Sequence, residues 1–474
     1  MAKRQRRRRR DRRQEHAKRQ GWQTRHSVIT GVGFAAGAAL GLVSPAAADD
    51  FTVDNLSDPA GAGACSDVTP SDCSLRQAVA DANTNTGSDR IYFSPTLTGN
   101  IGLTLAAGGQ IDITDSVYVY GPGPDLLTVT SEPTSRIFDV NPANAGDIVE
   151  IDGLTLTGGN VSGNGGAIQN DDALLRVFGA ELTGNTASGY GGAIYESGNY
   201  DSGQDDFIAY STFSDNHADA GGGFYSYRDI GQLRSSTFSG NSADAGDGGA
   251  VYAFGDALLV DSTVSGNHAT GAGGGVSVDG QIGLFGTILA NNFSYSADNP
   301  DLNATGGSVA YDLVEDPGTT GIGSAASIIT GQDPQLGALG LNGGYTPTLK
   351  PASTSPVVDQ SYSYSYLDQR LSDRAVDNPN KANVAGGNGA DIGAVELTLA
   401  EGPQASPPGP TPVTPHKKKC KKKKKKHHAV SAKKCKKKKK RSASSSSGFR
   451  HAGAPRPGLL WPDDREQHPF RLGR

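Results

Sequence analysis

A short sequence pattern recurs five times between residues 158 and 293, and it constrains the fold of this chain more than any other feature. Each copy carries a glycine pair followed by apolar residues, at Gly165-Gly166, Gly191-Gly192, Gly221-Gly222, Gly248-Gly249 and Gly273-Gly274. The pairs start 26, 30, 27 and 25 residues apart. Such a period is typical of a solenoid, in which one unit cannot bury its apolar face alone and stacks on its neighbours.

Apolar residues recur at two fixed places in the copies. One column reads Leu182, Phe213, Phe238, Val264 and Ile288, and the other reads Ile168, Ile194, Phe224, Val251 and Val276. The residues around both columns nearly alternate between apolar and polar, which predicts β-strands and not helices. Each copy therefore predicts one coil of a parallel β-helix, with successive coils about 4.8 Å apart. The glycine pairs suit tight corners that need a positive φ.

An asparagine precedes each glycine pair. The column comprises Asn160, Asn185, Asn216, Asn241 and Asn267, and Asn291 closes the series. We expect these side chains to form a ladder of stacked amides that satisfies the backbone at a turn. The alternative is a set of ligands for a metal or a glycan.

The two ends of the chain are basic and its middle is acidic. Residues 49–415 contain 10 Lys and Arg against 44 Asp and Glu, a formal charge of −34, although the whole chain carries only −5. Residues 1–48 combine a basic region, an apolar run and a small-residue Ala46-Ala47-Ala48 site, which predicts a cleaved signal peptide and export. A disordered basic arm or a single membrane anchor are the alternatives.

Residues 49–97 are expected to cap the first coil. Cys65 and Cys73 lie eight residues apart and are expected to form a disulfide in an exported chain. Residues 72–83 predict a short helix with Leu75, Val79 and Ala82 on one face, capped by Asp72 or Ser71. Strand-like segments from residue 98 to residue 330 form the coils of the β-helix.

Residues 331–397 differ from the coils and carry a resemblance. Their Asp368-Gln369-Arg370 segment, with Asp373-Arg374, and the ending Asp391-Ile392-Gly393-Ala394-Val395-Glu396 resemble the C-terminal module of bacterial choice-of-anchor Q surface proteins. The Cys73-Ser74-Leu75-Arg76-Gln77-Ala78-Val79 stretch resembles the N-terminal cap of that family. The Gly-Gly-Ala-Ile and Ser-Gly-Asn copies resemble right-handed parallel β-helix repeats, including those of chlamydial polymorphic outer-membrane proteins.

This resemblance implies export, surface display and a right-handed coil, and it does not imply an enzyme. The chain departs from the family because no sortase motif or membrane helix follows the module. Instead, a Pro-rich linker over residues 398–415 precedes a basic low-complexity tail over residues 416–474. The predicted fold class is all-β: a right-handed parallel β-helix solenoid with an N-terminal capping helix and a disordered Lys-rich C-terminal tail.

Three groups of side chains are candidate site residues. Tyr195, Tyr225 and Tyr252 are expected to face outward in consecutive coils, either as a sugar-stacking surface or as an aromatic ladder that stiffens the sheet. Asp219 and Asp244 occupy one column in adjacent coils, which makes them weak candidates for a glycosidase pair or a shared Ca²⁺ ligand set. His217 and His268 share a column but are expected two coils apart, too far for one metal ion.

The sequence favours a non-enzymatic, exported cell-surface protein with a structural, adhesive or glycan-binding role. Its Lys-rich tail is expected to bind anionic envelope polymers and so to retain the chain. No cofactor is predicted, and Ca²⁺ is the one metal considered. The alternative is a polysaccharide-active lyase or glycoside hydrolase on the same scaffold. A third hypothesis, nucleic-acid binding, is supported by the Lys-rich tail alone and conflicts with the predicted export.

Overall fold

The structure is a computed structural model, and it describes residues 48–59, 65, 72–85, 87–144, 146–198, 206–296, 300–322 and 327–404. Within these residues the chain winds repeatedly through four sheets, numbered here in the order in which each coil visits them. Strands of one sheet pair in parallel with those of the preceding and following coils. The repeats therefore build the parallel β-solenoid that their period predicts.

The four sheets have ten, ten, six and eight strands. Sheet 1 comprises β1 (Asp50–Val53), β2 (Asp89–Phe93), β5 (Val117–Tyr120), β8 (Ile148–Asp152), β12 (Leu174–Phe178), β16 (Phe207–Ala209), β20 (Ile230–Arg234), β24 (Ala257–Val260), β28 (Ile282–Phe285) and β32 (Gly307–Ala310). Sheet 2 comprises β3 (Gly99–Leu103), β6 (Leu127–Ser131), β9 (Thr155–Thr157), β13 (Glu181–Thr183), β17 (Thr212–Ser214), β21 (Thr237–Ser239), β25 (Thr263–Ser265), β29 (Ile288–Ala290), β33 (Leu313–Val314) and β34 (Ile329–Thr330).

The remaining two sheets complete each coil. Sheet 3 comprises β10 (Asn160–Val161), β14 (Thr186–Ala187), β18 (His217–Ala218), β22 (Ser242–Ala243), β26 (His268–Ala269) and β30 (Phe293–Ser294). Sheet 4 comprises β4 (Ile111–Ile113), β7 (Phe138–Val140), β11 (Ile168–Asp171), β15 (Ile194–Ser197), β19 (Phe224–Ser226), β23 (Val251–Ala253), β27 (Val276–Val278) and β31 (Leu302–Ala304).

The core is a stack of aliphatic and aromatic side chains inside the coils. Ile194, Val251 and Phe238 are fully buried, as the repeat predicts. Phe213 and Phe238 stack in adjacent coils with their ring centroids 4.6 Å apart. Each inward side chain therefore packs on its equivalent one coil away, which adds close van der Waals contact to the burial of apolar surface.

The two glycines of each pair serve different purposes. The first glycine has a positive φ, as at Gly191 with 68° and Gly221 with 59°, so it forms the corner between sheets 3 and 4. The second glycine packs against the next coil. A Cβ on Gly192 would lie 2.2 Å from the carbonyl oxygen of Gly222. Coil spacing therefore excludes a side chain at this place.

The predicted apolar and asparagine columns are both displaced by one residue at the C-terminal end of the series. Leu289, and not Ile288, pairs with Val264 and continues the inward column. Asn291 has a φ of 58° and occupies a corner position that Gly240 and Gly266 hold in preceding coils. Because asparagine tolerates a positive φ, it replaces glycine there, and a repeat aligned on Asn291 slips by one residue.

A short helix packs on the first coil. Helix α1 (Leu75–Ala82) buries Leu75, Val79 and Ala82 and contacts β1, β2 and β4. Its N-cap is Ser74, whose side chain accepts a hydrogen bond from the Gln77 backbone N–H, so the expectation of a cap at Asp72 or Ser71 is wrong. A 3-10 helix spans Leu105–Ala107. The predicted disulfide between Cys65 and Cys73 is present, with their Cα atoms 4.7 Å apart.

Residues 331–397 run back along the outer face of sheet 2. The outward threonines Thr212, Thr237 and Thr263 are buried beneath them. The Gln369 side chain accepts a hydrogen bond from the Thr237 hydroxyl at 2.6 Å and donates one to the Thr212 hydroxyl oxygen at 2.8 Å. The segment therefore covers a polar sheet face that would otherwise lie open to solvent.

Candidate functional site

Three tyrosines of sheet 4 form a stacked column on the outside of the solenoid, and we call Tyr195, Tyr225 and Tyr252 the tyrosine ladder. Each follows the inward residue of its strand by one position, so the pleat turns it outward. Tyr195 pairs with Tyr225, and Tyr225 pairs with Tyr252. The ring centroids of these neighbours lie 5.7 and 4.7 Å apart in stacked arrangements. The parallel register thus brings the three rings together.

Two of the three ladder tyrosines face outward but are largely covered. Tyr195 is 8% exposed and Tyr225 is 5% exposed, which fits the second of the two expectations, an aromatic ladder that stiffens the sheet. Their faces are covered because each ring packs on the next one. Tyr190 also stacks on Tyr225 with centroids 4.6 Å apart, and Ala220 packs into the same cluster. The rings of Tyr195 and Tyr225 therefore form a stacked platform, and their ring faces are not open to a ligand.

Three further aromatic residues border this platform, and we call Tyr190, Tyr227 and Phe254 the aromatic rim. They are 37%, 46% and 56% exposed. Tyr227 and Phe254 lie two residues after Tyr225 and Tyr252, which places them on the same face, with centroids 6.2 Å apart. The sequence analysis did not identify the rim. Its signal was the spacing of two residues between Tyr225 and Tyr227 and between Tyr252 and Phe254, which places both residues of each pair on one face of a strand.

The ladder hydroxyls stay protonated. Burial raises the pKa of Tyr225 and of Tyr252 well above the ordinary value of 10. The Tyr252 O–H donates to the carboxylate of Asp279 at 2.9 Å, which raises the pKa of Tyr252 further. A neutral aromatic surface with hydroxyl groups can stack on apolar ring faces and hydrogen-bond to hydroxyls, which is the chemistry that recognises sugars.

Asp219 and Asp244 are exposed in adjacent coils, directly after strands β18 and β22 of sheet 3. Asp244 accepts a hydrogen bond from Ser242, and its other carboxylate oxygen lies 3.8 Å from Nδ1 of His217. Within the described part of the chain, no group of three or more His, Cys, Asp or Glu side chains is arranged to hold a metal ion. The structure therefore places His217 beside Asp244, but these side chains do not form a metal-binding group among the described residues.

His217 and His268 lie two coils apart, as predicted, with Ser242 between them. His268 stacks on Phe293 with ring centroids 5.4 Å apart. The two imidazoles therefore have different neighbours: His217 lies beside Asp244, and His268 stacks on an aromatic ring.

A column of buried amides runs along the corner between sheets 2 and 3, and we call it the asparagine ladder. The ladder comprises Asn185, Asn216, Asn241, Asn267 and Asn292. In each step the side-chain oxygen of one asparagine accepts from both the side-chain and the backbone N–H of the asparagine in the preceding coil. Asp301 accepts the same two bonds from Asn292 and ends the series. These amides are fully occupied with the backbone and with one another.

The outer members of the predicted asparagine column lie elsewhere. Asn160 is exposed in β10, and Gly159 holds the ladder position of that coil, where its N–H donates to Asn185. Asn291 is exposed at its corner, and Asn292 takes the ladder position. The repeat pattern misplaced both, because Asn160 lies one residue after the ladder position of its coil and Asn291 lies one residue before it.

A buried charged cluster fastens residues 331–397 to the coils. Asp261 lies at the corner after β24, and its carboxylate accepts hydrogen bonds from Ser363, at 2.7 Å, and from Ser365. Its other oxygen lies 3.6 Å from the guanidinium of Arg374, whose side chain is fully buried. The sequence singled out Arg374 as a motif residue but missed Asp261, because its partners lie more than 100 residues away.

Two predicted features lie outside the described residues: the signal peptide over residues 1–48, apart from its last residue, and the Lys-rich tail over residues 416–474. In the part of the chain that is described, no helix has the length and apolar character needed to cross a membrane.

The comparisons with known proteins concern the repeats. Residues 180–195 and 235–253 match the Chlamydia polymorphic membrane protein repeat. These segments contain β13 with the start of β15, and β21 with β23, together with the corners between them. No curated protein and no solved structure gave a significant match. The chain is therefore a parallel β-solenoid whose coils are similar to polymorphic membrane protein repeats.

Proposed function

We propose that this chain is an exported cell-surface β-helix protein that acts as a structural or adhesive module by binding glycans. The repeat match supports the surface placement, because the matching repeat belongs to membrane proteins of Chlamydia. The proposal keeps the N-terminal signal peptide, the capping role of α1 and the choice-of-anchor Q resemblance of residues 331–397 as parts of one exported architecture.

The observation that carries the proposal is the aromatic rim on its stacked platform. Tyr227 and Phe254 are 46% and 56% exposed. Tyr227 packs edge-on against the ladder ring of Tyr225, and Phe254 packs against Tyr227. Rings from adjacent coils repeat at about the strand spacing of 4.8 Å, so an extended polymer could contact several of them at once. Pre-ordered aromatic side chains lose little entropy on binding.

The test of the rim uses a double variant, Tyr227→Ala with Phe254→Ala, on a glycan array. We expect the mature chain to bind at least one glycan and the double variant to lose about tenfold in affinity. Tyr295→Ala is a matched control, because Tyr295 is 67% exposed on another sheet. Equal binding by all three proteins would reject the rim as the site. Release of reducing sugar or unsaturated product in the same samples would instead favour the polysaccharide-active enzyme.

Retention is proposed to depend on the Lys-rich segment over residues 416–441. The body of the chain carries a formal charge of −34, so contact with an anionic envelope polymer requires this separate basic device. We expect deletion of residues 416–441 to move the protein from the envelope fraction to the medium, and added salt to do the same for the intact chain. A deletion variant that leaves the envelope only with detergent would contradict this part.

A further inference from the structure

The outer face of sheet 1 holds a second cluster of side chains, away from the ladder. We infer that Glu150 and Arg176, with aromatic rings on both sides, form a site for an uncharged, hydroxyl-rich sugar of a glycan. In the parallel register Tyr118 pairs with Glu150, Glu150 pairs with Arg176, and Arg176 pairs with Phe207. The four side chains therefore lie in one outward column over four consecutive coils.

Arg176 differs from the other basic residues of the body. Among the ten Arg and Lys side chains of the described residues, the other nine each donate a hydrogen bond to a carboxylate, a hydroxyl or a carbonyl oxygen. Arg176, which is half-buried, makes no hydrogen bond and no ion pair within the described chain. Its guanidinium offers five N–H donors in a planar fork, which suits adjacent hydroxyl oxygens of a ligand.

Aromatic pairs lie at both ends of this column. Tyr118 stacks on Tyr120 with ring centroids 6.2 Å apart. Phe178 lies against Phe207 with centroids 5.3 Å apart. All four rings are half-buried on the sheet surface. A pyranose ring lying on either pair would place its hydroxyls toward the charged residues between them.

The charge balance decides between a neutral and an acidic ligand. Glu150 and Arg176 cancel in formal charge, so the two side chains add no net charge to the column, and Arg176 presents its N–H donors to a sugar diol. Burial raises the pKa of Tyr118, and the charge of Glu150 raises it further, so the phenol stays neutral. The body around this face carries a formal charge of −34 and repels polyanions. These facts favour an uncharged glycan over a uronate polymer.

This site does not depend on the aromatic rim, because the rim lies on sheet 4 and this column lies on sheet 1. The two sites can therefore be tested separately in the same protein. Loss of one leaves the other able to bind.

The experiment measures binding of the mature chain to soluble neutral polysaccharides (β-glucan, mannan and galactan) and to polygalacturonate by affinity electrophoresis. We expect one neutral polymer to bind and Arg176→Gln to weaken that binding about tenfold with an unchanged melting temperature. Arg90→Gln is the matched control, because Arg90 lies in the same outward column and already pairs with Asp50 at 3.5 Å. We expect this control, and the rim double variant, to bind that polymer like the wild type.

Three results would overturn the inference. The first is wild-type binding by Arg176→Gln, and the second is binding of polygalacturonate alone. The third is no binding of any neutral polymer by the wild type. A Tyr118→Ala variant provides a second reading: if it binds like the wild type while Arg176→Gln does not, the aromatic platform is not part of the site.

Discussion

At the scale of single residues, two neighbouring asparagines differ in burial and in the hydrogen bonds of their side chains, which the sequence does not reveal. Asn291 and Asn292 are neighbours of the same type. Asn291 serves its backbone corner with a φ of 58°, whereas Asn292 is buried and bonds to Val264 and Asp301. Only the Asn292 side chain forms hydrogen bonds with buried polar groups, which water cannot reach.

This difference predicts effects of different size on stability for two substitutions. We expect Asn292→Ala to lower the free energy of unfolding by about 1–3 kcal/mol, because it leaves buried donors and acceptors without partners. Asn291→Gly keeps the positive φ and is expected to change it by less than about 0.5 kcal/mol. Urea unfolding followed by circular dichroism measures both. The reverse ranking would mean that the asparagine ladder runs through Asn291.

Gly192 and Gly222 are a second residue-scale constraint. Each packs directly on backbone of the next coil, where a Cβ would lie 2.2–2.4 Å from a carbonyl oxygen. Both positions of the pair therefore require glycine: the first because its corner needs a positive φ, and the second because the coil spacing excludes a Cβ.

At the scale of elements, residues 331–397 are held on sheet 2 by a few buried polar contacts. Asp261 is the central acceptor, because Ser363, Ser365 and Arg374 all converge on its carboxylate. A fully buried guanidinium that loses a partner is strongly destabilising, since its charge is then uncompensated in a poorly solvated site.

We therefore expect Asp261→Gly to cost about 3–5 kcal/mol of stability and to make residues 361–374 sensitive to protease before the coils are cut. Glycine retains the positive φ of this corner, as Gly286 does one coil later. Ser235→Gly is the control: Ser235 occupies the same corner one coil earlier, and its hydroxyl has no hydrogen-bond partner among the described residues. Similar protease patterns for both variants would show that Asp261 does not fasten the segment.

At the scale of the whole molecule, buried carboxyl groups make stability depend on pH. Burial raises the pKa of Asp301 to about 6 and, together with the charge of Asp391, raises the pKa of Glu396 to about 8. Their ordinary values are 3.8 and 4.5. Between the ordinary and the raised pKa the folded chain binds more protons than the unfolded chain, so stability falls as pH rises.

We predict that the melting temperature decreases from pH 5 to pH 8 by at least about 3 °C, since one pKa unit corresponds to about 1.4 kcal/mol. Differential scanning calorimetry at several pH values measures the slope. Glu396→Gln removes one titrating group and should flatten the slope between pH 5 and pH 8, whatever its effect on the absolute melting temperature. A melting temperature that rises over this range would contradict the assignment of these protonated carboxyls.

The sequence by itself determined the solenoid, because the period, the inward apolar columns and the corner glycines are local and recur in five successive coils. It also indicated the disulfide and the helix before β2, which depend on residues close in the chain. These features follow from steric and hydrophobic rules that act over one coil.

Only the tertiary structure decided how exposed each outward residue is and which residues face one another across the molecule. Tyr225 is buried because rings from neighbouring coils cover it, and Thr237 is buried because Gln369 reaches it across 132 residues of chain. No local pattern encodes such contacts, since burial depends on what the rest of the fold places over a side chain. The aromatic rim, Asp261 and Arg176 are therefore distinguished from similar residues only by their tertiary surroundings.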